Sequence, residues 1–175
     1  MLATITRLFA HLCGQKPDHT WTLGGWSLPC CQRCTGLYAG AAIAALLLVW
    51  LRPRLSGRFL GAHGACLLFL APLGLHWVPE GPLLRTLSGV LFGFGVAAFL
   101  WLPLASKYGW ADCPRRFAAG GYPLALIGTA VLIPLLASVG GAGTAVVLIV
   151  LICAGAIAFL TLALGALFAT VSAPR

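Results

Sequence analysis

Four of the seven cysteines fall within the first 34 residues: Cys13, Cys30, Cys31 and Cys34. Cys31 and Cys34 form a C-x-x-C where polar sequence gives way to a long apolar stretch. Thiolates are soft metal ligands and exchange nucleophiles. Three readings are open. In the first, Cys13, Cys31 and Cys34 ligate a metal with His11 or His19 as the fourth donor, a sulfur-rich tetrahedral set suited to Zn²⁺ or another thiophilic ion. In the second, Cys31 and Cys34 are an exchanging thiol pair with Cys13 or Cys30 as resolving thiol, the arrangement of a membrane thiol-disulfide oxidoreductase. In the third, the thiols are small hydrophobes in a structural or lipid-interacting protein. A single C-x-x-C does not separate them. Pro29 suits the first turn of a helix. A helix beginning there sets Cys31 and Cys34 on one face of its first turn, where the helix dipole favours thiolates.

A second set of polar residues could join the cysteines. Arg85 opens a later apolar stretch, with Glu80 five residues before it and His76 near the end of the preceding one. Ionisable residues at membrane depth are functional candidates by default. Gln15, Arg33, His76, Glu80 and Arg85 make up this candidate polar site, and Glu80 or Asp18 is the expected partner of Arg85. Gln32 is expected to bond a site or face water. Cys66, Cys153 and His63 lie inside apolar stretches and read as packing residues, His63 without polar company. Cys113 reads as an inert loop thiol. Trp21, Trp26 and Tyr38 suit an interfacial belt. The chain has no Gly-rich phosphate loop, nucleophile elbow or H-E-x-x-H. Its three acids, Asp18, Glu80 and Asp112, are too few for a dimetal carboxylate centre.

The elements that position these residues must be membrane helices. The chain is 61% hydrophobic and 8% charged, with a mean hydropathy of +1.00. A soluble domain carries about 25% charged residues. The expected fold is an all-α integral membrane protein: about five transmembrane helices behind a short Cys-rich interfacial segment. The segment takes residues 1–34 and the bundle 35–175, as one domain overall. The spans are expected at 35–51, 60–78, 84–104, 120–139 and 144–171. A retained interfacial helix precedes them, with Leu2, Ile5, Leu8, Phe9 and Leu12 on one face. Trp50, Trp77 and Trp101 fall at span ends. Gly36-x-x-x-Gly40 and Gly89-x-x-x-Gly93 are small-residue pairs suited to close helix approach.

A net charge of +8 raises the question of nucleic acid. The basic residues sit in short loops beside apolar spans, as topology signals and headgroup contacts, so the expected partner is the lipid bilayer and not nucleic acid. Arg52, Arg54, Arg58, Lys107, Arg115, Arg116 and Arg175 fall on one side; Arg7, Lys16, Arg33 and Arg85 fall on the other. The larger group belongs in the cytoplasm. A multi-pass protein of the cytoplasmic membrane follows, with the N-terminus outside and the C-terminus inside. The cysteine segment and the loop bearing His76, Glu80 and Arg85 then share the outer face.

The run Cys13-x-Gln15-x-Pro17, followed by Pro29-x-Cys31-x-Arg33-Cys34-Thr35-Gly36-x-Tyr38-x-Gly40, resembles a prokaryotic membrane family called domain of unknown function 2085. Arg85-Thr86-x-x-Gly89-x-x-x-Gly93 resembles a further segment of it. The resemblance covers about residues 7–100 and implies no established activity. It singles out Cys13, Gln15, Cys31, Arg33, Cys34 and Arg85. Gly14 stands where that family usually has His, and His19 where it has Arg, so a histidine donor in this chain falls to His11 or His19. His76 stands where many members carry Asp.

Overall fold

A computed structural model describes residues 2–74, 77, 81–110 and 118–171. His76, Glu80 and Cys113 lie outside the described residues. The chain opens with α1 (Leu2–Ala10), followed by a 3-10 turn (Pro17–His19) and a hairpin of β1 (Thr20–Leu23) and β2 (Trp26–Cys31). Then come α2 (Gln32–Leu51), α3 (Gly57–Leu68), α4 (Leu70–Gly74), α5 (Pro82–Lys107), α6 (Ala118–Val139) and α7 (Ala142–Val171).

Among the described residues, α2, α5, α6 and α7 are long and apolar enough to cross a membrane. The expected span at 60–78 takes a different form, the shorter apolar pair α3 and α4. The chain turns at Phe69, whose N–H still reaches the Ala65 carbonyl at 2.9 Å. Pro72 has no N–H to offer Leu68, which weakens helix continuity at this point. The pair spans about 27 Å at 1.5 Å per residue. That length matters, because α2 and α5 run parallel and the chain between them must return across the bundle.

Contacts at the glycines fix these directions. A Cβ on Gly36 would strike the Thr86 carbonyl oxygen, and one on Gly40 would meet Val90. Reciprocally, a Cβ on Gly89 would strike the Arg33 carbonyl oxygen, and one on Gly93 the Leu37 carbonyl. The two expected small-residue pairs therefore face each other, and the α2 and α5 backbones touch. Gly155 of α7 meets the Tyr38 carbonyl in the same way. Leu83, Leu84 and Leu87 at the start of α5 line a groove with Val131, Pro134 and Leu135 near the end of α6. Thus α2, α5 and α7 point one way, and α3 and α6 the other. One end of the bundle collects α1, the hairpin and the starts of α2 and α5. The other collects Arg52, Arg58 and Lys107.

The core lies between α2, α5 and α7, around Leu48, Val90, Phe94, Leu148 and Ile152, all fully buried. Large apolar side chains on α6 and α7 point outward, among them Leu124, Ile127, Val150 and Leu160. Such an outer surface suits lipid and not water. Trp101 departs from its expected place at a span end. Helix α5 continues to Lys107, so Trp101 lies more than a turn inside it, fully buried and stacked on Trp110 at 6.5 Å. Trp110 in turn lies 5.0 Å beneath the Arg52 guanidinium, closing the far end of the bundle.

His63 also departs from expectation. It is buried and has polar company: Nδ1 lies 2.8 Å from the Phe59 carbonyl, and Nε2 lies 2.9 Å from the Tyr122 hydroxyl. A carbonyl only accepts, so Nδ1 carries the proton and the tyrosine donates to Nε2. The pair links α3 to α6.

Candidate functional site

The hairpin is the element that the sequence reading lacked. Its turn is Gly24–Gly25, with φ of +55° and +81°, as a two-residue turn of type I′ requires. A Cβ on Gly24 would strike the Ala142 backbone, so the tip is seated on the start of α7. Thr20 pairs with Cys31, which keeps the chain extended through Pro29 and Cys30. Helix α2 therefore begins at Gln32 and not at Pro29; Pro29 is a buried strand residue, and Cys31 is the N-cap. The C-x-x-C still straddles the helix start, with Cys31 at the cap and Cys34 in the first turn.

Cys13 arrives from the other side. It follows the turn that ends α1, its N–H bonded to the Phe9 carbonyl at 2.9 Å. Gln15, at φ +41°, turns its amide back, and Nε2 donates to the carbonyls of Thr6 and Pro29, each at 2.7 Å. One side chain thus ties α1 to β2. The Cys31 N–H donates to Cys13 Sγ at 3.2 Å. The three Sγ atoms of Cys13, Cys31 and Cys34 all lie within 4.8 Å of one another.

Above them is a cavity of about 290 Å³, lined by Leu12, Cys13, Gly14, His19, Cys31, Gln32, Arg33, Cys34 and Arg85. A wider groove of about 700 Å³ beside α1 and the hairpin tip has no thiol on its wall. Arg85 Nη1 donates to Gln32 Oε1 at 3.4 Å, and Gln32 is buried. Gln32, the first residue of α2, faces α5 and lines the cavity, and does not face water. Asp18 pairs with His19 Nε2 at 3.4 Å and not with Arg85. His11 is exposed in the turn after α1 and is not part of the cavity wall.

The neighbours of the site are held by aromatic residues expected at the interface. Trp21 Nε1 donates to Thr86 Oγ1 at 2.9 Å, fastening the hairpin to α5. Tyr38 is buried, edge-on to Phe9 at 5.2 Å, and so seats α1 on α2. Of the expected apolar face of α1, Phe9 is buried and Ile5 half-buried, while Leu8 and Leu12 are exposed.

The thiols outside the membrane helices differ sharply. The Cys34 thiol donates to Cys31 and brings its pKa down to about 5 against the opposing effect of burial, with Cys13 acting in the same direction. Burial pushes Cys30 up to about 12, with a partial offset from Thr35, whose hydroxyl lies 3.6 Å away. Cys30 is fully buried, with its sulfur turned to Thr35. Iodoacetamide should alkylate metal-free Cys31 at a rate that holds nearly constant from pH 8 down toward about 6, because the nucleophile is the thiolate. Cys30 should stay unlabelled until the protein unfolds. A Cys31 rate that climbs toward pH 9, followed site by site by mass spectrometry, would contradict the assignment.

Residues 13–99 match the family described as "Predicted membrane protein (DUF2085)". That stretch belongs to this family of membrane proteins. It contains the three clustered cysteines, Gln15, Arg33, Arg85 and the glycine contact of α2 with α5. An uncharacterized protein of Methanothermobacter thermautotrophicus is 46% identical over 33 residues, 19% of this chain and 30% of its own length. The aligned stretch spans under a third of that relative. No solved structure matches the chain.

Proposed function

We propose that this protein binds a thiophilic metal ion, Zn²⁺ foremost, through the Sγ atoms of Cys13, Cys31 and Cys34 at the outer face of the cytoplasmic membrane. The observation that carries this reading is the mutual approach of three sulfurs drawn from sites 18 and three residues apart, all within 4.8 Å. Zn–S bonds of about 2.3 Å in a tetrahedron separate sulfurs by about 3.8 Å, so small side-chain rotations suffice. The fourth position faces the cavity. His19 is the better placed histidine: it lines that cavity, and Asp18 on Nε2 would orient the ring and leave Nδ1 as donor. The ion would staple residues 1–34 to the bundle of 35–175, making one folding unit of both. Bound metal supplies a Lewis acid as well as a crosslink. The orientation follows from the Lys/Arg count: Arg52, Arg54, Arg58 and Lys107 in the cytoplasm, with the cysteines opposite.

Protein purified reduced and free of chelator should carry one zinc per chain, measured by elemental analysis, and lose it to a strong chelator. No bound metal under those conditions rejects the reading. Gln15→Ala removes the clamp between α1 and β2 while leaving every sulfur in place. It should weaken zinc affinity about tenfold, the usual scale for an outer-shell partner. Unchanged affinity in a competition titration would deny Gln15 that role.

The Cys34 thiol donating to a low-pKa Cys31 favours a second reading, thiol exchange. Cys31 would attack a substrate disulfide and Cys34 would resolve the mixed disulfide. Acid trapping of thiols in cells decides it: a Cys31–Cys34 disulfide or a mixed disulfide on Cys31 supports exchange, and their absence under oxidative challenge rejects it.

A further inference from the structure

The same sulfurs cannot hold a metal and share a disulfide at once, and the fold divides the three unequally. Cys31 and Cys34 belong to one continuous stretch, the cap and first turn of α2. Their sulfurs already face each other, since the Cys34 thiol donates to Cys31. Cys13 comes from the turn after α1, 18 positions before Cys31, and its Sγ is turned to the Cys31 backbone N–H at 3.2 Å. A disulfide needs its sulfurs about 2.05 Å apart. With all three Sγ atoms within 4.8 Å of one another, the facing pair closes by a movement of less than about 3 Å. Cys31 also lines the cavity of about 290 Å³, so a small oxidant can reach it, whereas Cys13 is buried. The two bonds have different consequences. A metal ties Cys13 to α2, and with it the N-terminal segment to the bundle. A Cys31–Cys34 bond lies wholly within the junction of β2 and α2 and ties nothing else.

We infer that the centre is a redox switch: oxidation of Cys31 and Cys34 to a disulfide expels the metal and unlinks Cys13 from α2. This rests on the metal reading above. The oxidant is a low-molecular-weight disulfide. The Cys31 thiolate attacks one of its sulfurs, and the other leaves as a thiolate. The Cys34 thiolate then attacks Cys31 Sγ in the mixed disulfide, and the second thiolate leaves. The two cysteine sulfurs give up two electrons and the oxidant takes them. Zinc has no redox chemistry of its own and departs as the divalent ion. Cys13, left without its metal bond, takes a proton from water. An extracytoplasmic face is where disulfides form and persist, so the switch stands where its oxidant is found. Metal binding and thiol exchange are then two states of one cluster. The contacts of Gln15, Phe9 and Trp21 involve none of these sulfurs, so the segment keeps its seat when the metal leaves.

The test titrates full-length, zinc-loaded protein in nanodiscs with glutathione disulfide. A weak chromogenic chelator follows free zinc, and mass spectrometry after acid quenching maps the thiols. One zinc should leave for each Cys31–Cys34 bond formed, and Cys13 should be recovered as a free thiol. Excess reduced glutathione with added zinc should restore the centre. Cys30→Ser should behave as the parent does. Zinc retained while the Cys31–Cys34 bond forms overturns the inference and leaves the metal reading standing. So does zinc lost with a bond from Cys13 to either partner, or zinc retained with every thiol unoxidised at a large excess of oxidant. If the reduced protein holds no zinc at the outset, the metal reading fails and this inference falls with it.

Discussion

Cys13→Ser, Cys31→Ser and Cys34→Ser should each lower zinc affinity at least about a hundredfold, whereas Cys30→Ser should change it little. The argument is geometric. Only the first three sulfurs lie within 4.8 Å of one another. A serine hydroxyl does not ionise near neutral pH and is a poor donor to a thiophilic ion. Cys30 sits one residue away in sequence, but its side chain is fully buried and turned to Thr35. Adjacent cysteines with opposite outcomes make a stringent comparison, because any non-specific thiol effect would treat them alike. Competition against a chromogenic chelator supplies the affinities. Affinity also depends on pH, since binding displaces the protons that remain on the thiols, and it should fall as the solution is acidified. Equal losses for Cys30→Ser and Cys31→Ser would remove the basis for the assignment.

Gly36→Leu and Gly89→Leu should abolish stable folding in detergent. At both positions the obstacle to a side chain is a backbone carbonyl of the facing helix, Thr86 in one case and Arg33 in the other. A backbone does not swing aside as a side-chain tip does, so α2 and α5 must part. Overpacking in cores commonly costs about 1–3 kcal/mol, and loss of a helix contact of this closeness lies at or beyond the top of that range. The same separation would carry Arg33 and Cys34 away from Arg85, so metal affinity should fall together with the melting temperature. Gly61→Leu on α3 is the control, because a Cβ there meets nothing within 4 Å. A Gly36→Leu protein melting within about 2 °C of the parent would contradict the packing.

Much of this architecture was legible from the chain. Apolar stretches of spanning length announce themselves because lipid excludes unpaired backbone and charge, which leaves few alternatives. The small-residue spacing on α2 and α5 likewise carried its meaning, since glycine every fourth residue on two helices is the pattern that lets backbones touch. The hairpin was harder to read. Gly24–Gly25 between Thr20–Leu23 and Trp26–Cys31 is a two-residue turn signal, but the strands are only four and six residues long, too short for their alternation to stand out. Pro29 pointed to a helix start, and pairing of Thr20 with Cys31 outweighed that local preference. The partners of His63, Trp21 and Gln32 are tertiary facts: each depends on a residue more than 50 positions away, which no local pattern encodes. His76 and Glu80 lie outside the described residues, so the structure bears on the polar site through Gln15, Arg33 and Arg85.

X-ray absorption at the zinc edge, on zinc-loaded protein in nanodiscs, reads the proposed centre most directly. Three sulfur scatterers at about 2.3 Å with one lighter donor are expected. A shell of nitrogen and oxygen alone, or sulfur scattering that persists after all three of Cys13, Cys31 and Cys34 are replaced by serine, would contradict it.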